Sequence, residues 1–173
     1  MRADFINASN LRNDIQVFRF NEDCASFGKK GATIIGVTLR DRDNHPLSWI
    51  VGGEFVTLEV WIEAHQDIFS PIVGFHLKNR LGLELFGDNT FLTYREKPLL
   101  LHRGQRACAR FSFIMPVLAG GDYCIASAVA EGTQQNHVQH DWKHEALLLR
   151  SLATSCQTGM IGIPMRHISL TVS

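Results

Sequence analysis

Between positions 55 and 64 the chain changes polarity at every step: Val56, Leu58, Val60, Ile62 and Ala64 alternate with Phe55, Thr57, Glu59, Trp61 and Glu63. A period of two sends one set to each face of a pleated strand, whereas a helix would need apolar residues recurring about every 3.6 positions. The strand so predicted has one face in a core and the other toward solvent or a ligand. Similar runs occur at 32–39, 72–78, 106–115, 123–131 and 167–172, and no segment carries a long helical stripe.

Turn chemistry separates these runs. Asp41-Arg42-Asp43-Asn44-His45-Pro46, Gly52-Gly53-Glu54, Asn79-Arg80-Leu81-Gly82, Arg103-Gly104-Gln105 and Gly120-Gly121-Asp122 supply the backbone conformations that reversals require. Strands of this number and spacing predict an all-β fold, an immunoglobulin-like antiparallel β-sandwich. Leu118-Ala119-Gly120-Gly121-Asp122-Tyr123 has the form of a tyrosine corner, in which the Tyr hydroxyl returns to nearby backbone. Residues 1–30 are polar and mixed, with a short strand expected at 15–20. Residues 1–26 read as a linker or N-terminal extension, and 27–173 as the sandwich domain. The Ser-, Thr- and Gly-rich stretch 151–164 reads as a loop between 146–149 and the last strand. A last strand on a long connection suits pairing with another copy of the chain, because an edge strand offers unpaired backbone groups.

The 173 residues suffice for one domain with its own core. Lys plus Arg and Asp plus Glu balance at 17 each, so no global field attracts nucleic acid or an anionic membrane, and a neutral, hydrogen-bonding partner fits better. The first twenty residues are interrupted by Asp4, Asn7, Asn10, Arg12, Asn13 and Asp14, unlike a signal peptide, and the expectation is a soluble, intracellular protein. Cys24, Cys108, Cys124 and Cys156 lack C-x-x-C spacing and read as free thiols, with a Cys108–Cys124 bridge between adjacent strands as the alternative.

Reactive chemistry finds little support. Phe27-Gly28-Lys29-Lys30-Gly31 lacks the spacing of a phosphate-binding loop and reads as a turn. Ser70 and Ser112 are not in nucleophile-elbow contexts, and Glu59 with Glu63 are same-face neighbours rather than a converging pair. His137, His140, Asp141 and His144 contain metal-ligand side chains, and on a helix the three histidines would share a face; a loop at 134–139 is the competing reading. For Asp141-Trp142 two roles compete. Trp142 packs over the sandwich end while Asp141 accepts loop amides, or Trp142 presents its face to a sugar ring. Gly87 and Asn89 likewise read as turn-shaping residues, and Thr90 as a side chain that satisfies its backbone.

What remains is binding by a strand face. A neutral, hydrogen-bonding ligand with apolar faces would need aromatic platforms beside polar groups in a shallow groove. The outward set of 72–78 is Gly74, His76 and Lys78, beside which Cys124, Ala126, Ala128 and Ala130 could form a small-residue floor. Trp61 with Glu59 is a second candidate face, and Tyr94 or His137 could rim either.

Three motifs in order carry a resemblance: Phe69 to Thr90 (FSPIVGFHLKNRLGLELFGDNT), Leu118 to Tyr123, and His140-Asp141-Trp142. Over residues 27–172 the chain resembles the C-terminal carbohydrate-binding domain of the ATP-binding subunit of polysaccharide (O-antigen) ABC exporters, the Wzt family. The resemblance implies a non-catalytic module, without cofactor or metal, that reads a lipid-linked O-antigen polysaccharide at the cytoplasmic face of the inner membrane. Asp141-Trp142 falls where the family has its own acidic-aromatic pair, and with the strand-face reading the carbohydrate-binding candidates are His76, Trp61, Glu59, Lys78, Tyr94, His137 and Trp142. The resemblance also implies ATPase domains and a transmembrane permease as partners, and a homodimer formed by exchange of the C-terminal strand.

Overall fold

The computed structural model describes residue 2 and residues 12–153 and 159–172. In chain order the strands are β1(Asn13–Val17), β2(Ser26–Phe27), β3(Ala32–Arg40), β4(Trp49–Val51), β5(Phe55–Ala64), β6(Ile68–Phe69), β7(Pro71–Asn79) and β8(Glu84–Asn89). A single helical turn follows, α1(Phe91–Tyr94), and then β9(Leu100–Leu101), β10(Arg106–Ile114), β11(Val117–Leu118), β12(Gly121–Gly132), β13(His137–Ala153) and β14(Ile161–Gly162). The protein is a nearly all-β structure of antiparallel sheets. The long sheet runs β4-β1-β13-β12-β7-β8, with β2 also paired to β13, and the short sheet runs β10-β5-β3. Two small ladders pair β11 with β14 and β6 with β9. No helix among the described residues is long and apolar enough to cross a membrane.

The alternation in β5 fixes the layering. Val56, Leu58, Val60, Ile62 and Ala64 are at most 1% exposed and share one core with Val73, Phe75, Leu77, Ile125, Val129, Leu147 and Leu149 of the long sheet. Burying a side chain of this kind stabilises by about 1.5–3 kcal/mol, and a one-residue slip would exchange the two faces. The tyrosine corner is present: the Tyr123 hydroxyl donates to the Ala119 carbonyl at 2.8 Å.

Several elements differ from the sequence expectation. Pairing with β13 begins at Asn13, inside the stretch read as an extension, and Ile15 of β1 is fully buried. Asn13 anchors this strand, donating to the Leu118 carbonyl and accepting the Leu118 amide, each at 2.9 Å. Residues 1 and 3–11 of the expected linker, residues 154–158 of the expected loop, and Cys156 lie outside the described residues. The loop expected at 134–139 gives way at His137 to β13, so the three histidines lie on a strand and not on a helix. Cys108 belongs to β10 of the short sheet and Cys124 to β12 of the long one, which rules out the bridge between adjacent strands; both are free, as is Cys24. The run 167–172 forms no ladder with the described part of the chain, and Ile168, Leu170 and Val172 are 81%, 96% and 95% exposed. Its alternating apolar side chains stand exposed among the described residues.

Candidate functional site

Strand β7 turns Val73, Phe75 and Leu77 into the core, and Gly74, His76 and Lys78 therefore emerge on the outer face of the long sheet. On the neighbouring β12 the register sets Ala128 against Gly74, Ala126 against His76 and Cys124 against Lys78. On the far side of β12, Trp142 of β13 lies opposite Ala128. The small residues do leave room above β12, but the chain fills it with its own rings. Trp142 and His76 stack across the strand with centroids 5.7 Å apart and 23° between planes, and Ala126 between them is completely buried. The open floor expected from the sequence is thus covered by a ring pair.

Bulges in the β12–β13 ladder decide how Asp141 and Trp142 divide their tasks. Register shifts fall between Ile125 and Ser127 and between Val129 and Ala130, each placing extra β13 residues against β12, and bulges re-aim side chains. His140 and Asp141 are consequently both buried, while Trp142 stays half-exposed on the outer face. One Asp141 oxygen accepts the Lys30 ammonium, and the other accepts the Ile34 amide of β3 at 3.0 Å. Asp141 thereby ties the long sheet to the short one, accepting the amide of a strand where loop amides were expected. Trp142 presents an aromatic surface on the outer face of the long sheet.

Strand β2 adds a ring that the sequence reading missed. Phe27 pairs with Trp142 in register, and its half-exposed ring lies 6.1 Å from the indole at 19° and 5.7 Å from the His144 imidazole. Lys78 places its ammonium 5.6 Å from the centre of the Trp142 ring, and Glu84 of β8 stands 3.4 Å from His76 Nδ1. Phe27, Trp142, His76, His144 and Lys78 therefore form a continuous ridge of ring faces and polar tips. Trp142 Nε1 is buried without an acceptor among the described residues, a condition costing about 1–3 kcal/mol. Nothing local in the sequence marks Phe27, because its place depends on a two-residue ladder with a strand over a hundred positions away.

The remaining candidates are elsewhere. Trp61 and Glu59 lie on the outer face of the short sheet. Glu59 is 2% exposed and accepts from Arg40 Nε at 2.6 Å, Arg110 Nε at 2.9 Å and Trp61 Nε1 at 3.4 Å. Burial opposes its ionisation, but the bonds from Arg40, Arg110 and Trp61 outweigh burial and hold its pKa below the ordinary value. Tyr94, on α1, lines a cleft of about 490 Å³ with Asn89, Thr93 and Arg110. His137 opens β13, exposed, with Nδ1 3.3 Å from the Gln134 carbonyl. The structure brings His76, Lys78 and Trp142 together and separates Trp61, Glu59, Tyr94 and His137 from them. The larger clefts run along β10, whereas the ridge is an open surface. The Gly-Asp-Asn-Thr segment is structural: a side chain at Gly87 would meet the Phe75 carbonyl at 2.2 Å, and Thr90 Oγ1 accepts the Val73 amide at 3.1 Å.

The histidines read as a metal cluster do not converge. His140 donates or accepts through Nε2 at 2.9 Å from Glu131, and His144 rests on Phe27. Among the described residues, ligand-type atoms gather at Asp41, Asp43 and His45 instead. There the Asp41 carboxylate is already shaping a turn, accepting the Asp43 and His45 amides at 2.9 and 2.8 Å. Burial raises the pKa of both the Cys108 and Cys124 thiols, which keeps them protonated and poorly nucleophilic near neutrality.

These features define an antiparallel two-sheet sandwich whose long sheet carries an aromatic ridge on its outer face. A family model described as Wzt C-terminal domain matches residues 23–163, and the chain belongs to that family. A solved crystal structure of the C-terminal domain of wzt shares the fold, with a TM-score of 0.68 at 20% identity, covering 87% of this chain and 91% of that one. No curated protein sequence matches the chain significantly.

Proposed function

We propose that this chain is a non-catalytic carbohydrate-recognition module of a polysaccharide ABC exporter, reading a lipid-linked O-antigen glycan at the cytoplasmic face of the inner membrane. Binding would admit the glycan to export by ATPase domains and a membrane-embedded permease. The observation that carries the reading is the Phe27–Trp142–His76 ridge with Lys78 beside it. Pyranose C–H faces lie against rings, while ammonium, imidazole and the Glu84 carboxylate meet hydroxyls. An open ridge suits an extended chain better than a small substrate, which would need an enclosing pocket. Selection comes from hydroxyl stereochemistry, because a wrong epimer leaves desolvated polar groups unpaired. Membership of the Wzt C-terminal domain family supports the exporter context.

The proposal includes a homodimer. The exposed alternation of Ile168, Leu170 and Val172 suits pairing with an edge of another copy, and among the described residues β10 pairs only with β5, on one edge. Beside β10 runs an apolar groove of about 420 Å³ lined by Phe75, Phe86, Phe111 and Phe113. The last strand of a second copy would cover it.

Calorimetric and NMR titration with a panel of purified O-polysaccharides tests the reading. Resonances of Trp142, His76 and Lys78 should shift, and Trp142→Ala should weaken binding about tenfold or more, a loss of roughly 1.4 kcal/mol. No response to any glycan, together with tight association with a protein partner, overturns it. Shifts confined to Trp61 and its neighbours would move the site to the short sheet.

A further inference from the structure

We propose that Lys30 is the positioning residue of the ridge: by bridging Asp141 and Ser26 it holds the 26–30 strap down on β13, so that the Phe27 ring lies along Trp142. Its affinity consequence rests on the glycan-binding reading; its geometric consequence does not.

A few backbone bonds hold the strap, and this side-chain bridge ties its two ends to each other and to β13. Its ladder comprises two residue pairs, Phe27 with Trp142 and Ser26 with Lys143, far short of what stands alone in water. Beyond it the backbone is unusual: Gly28 has φ +135° and Lys30 has φ +60°. A left-handed lysine persists only where its surroundings over-determine it, and here they do. The Lys29 and Lys30 amides donate to the Gln139 and His140 carbonyls at 3.0 and 2.8 Å, and Lys30 Nζ donates to Ser26 Oγ at 2.8 Å and to the Asp141 carboxylate. Asp141 is 1% exposed, and a carboxylate so sequestered requires a cation. The strap is also pressed close, since a side chain at Gly28 would come within 2.3 Å of the His140 carbonyl.

The same dipeptide thus supplies both anchor and platform. Asp141 faces inward and holds Lys30; Trp142 faces outward and receives the ring that Lys30 delivers. The Phe27 ring is 51% exposed and contacts the rings of Trp142 and His144, so its position follows the strap. Because Trp142 Nε1 is buried without an acceptor among the described residues, its proton reports whether the ridge is covered.

The test uses the full chain and the Trp142 indole N–H resonance, one of three, assigned by its loss in Trp142→Phe. Lys30→Met alone strands a buried charge and could unfold the domain, so the informative variant is Lys30→Met with Asp141→Asn. In that double variant a cooperative melt should persist, the Trp142 indole proton should exchange with water about tenfold faster, and glycan affinity should fall about tenfold. Phe27→Ala should reproduce both effects and add nothing when combined with the double variant, and Lys30→Arg should restore both. Unchanged exchange in the double variant overturns the proposal. So does an affinity loss that Phe27→Ala does not share. If wild type binds no glycan while the exchange still responds, the glycan reading fails and the positioning role stands.

Discussion

Glu59 invites one perturbation above others, because the sequence offered it as a sugar ligand and the structure makes it a buried anion. Glu59→Gln removes the charge and keeps the shape. The wild-type carboxylate accepts from Arg40 and Arg110 at 2.6 and 2.9 Å, and a bond to a charged group is worth about 1.5–3 kcal/mol. Arg110 is 57% exposed and regains water in the variant, while the Gln carbonyl can still accept from Arg40. The net loss is therefore close to one such bond, about 2 kcal/mol, or about 4–8 °C in melting temperature for a domain of this size. The pH dependence has a definite sign. The folded-state pKa lies below the ordinary value of 4.5, so the unfolded chain takes up the proton first. Stability from ionised Glu59 is complete above roughly pH 5.5 and is lost as pH falls past 4.5 through the lowered folded value. Thermal melts followed by circular dichroism should show the full gap between wild type and variant near neutral pH and a narrowing gap in acid. A gap independent of pH, or none at neutrality, refutes the reasoning. Glycan affinity lost without a change in melting would return Glu59 to the binding site.

His76→Ala removes a partly exposed ring stack and a 3.4 Å contact with Glu84; it should cost about 1 kcal/mol and a melting shift of about 2–4 °C while weakening glycan binding measured by calorimetry. Tyr123→Phe deletes the 2.8 Å corner bond to Ala119, so the melting temperature should fall by about 2–4 °C with binding untouched. Deleting residues 167–173 should give a monomer in sedimentation equilibrium, and a truncated chain that remains a compact dimer contradicts strand exchange.

Much of the fold is legible in the chain because alternation is local information. The inward set of β5 and the outward set of β7 follow from the pleat alone, and the corner at Tyr123 follows from six consecutive residues. Ring partners are not local. His76 meets Trp142 because β12 lies between their strands and carries alanine at the crossing, and Asp141 points inward because β13 is bulged beside it. Glu59 shows the same limit on the short sheet: the pleat puts this acidic residue on an outward face, and the fold brings Arg40 from β3 and Arg110 from β10 over it.

By itself, then, the sequence determined the class of fold, the faces of its principal strands and the outward emergence of His76 and Lys78, since each depends on residues within a few positions of one another. The tertiary structure alone decided that Phe27 joins Trp142, that Trp61 sits on the other sheet, and that Lys30 finds Asp141 across a separation of 111 residues. Such meetings depend on ladder register and bulges, which accumulate along whole strands and leave no mark at the residues they bring together.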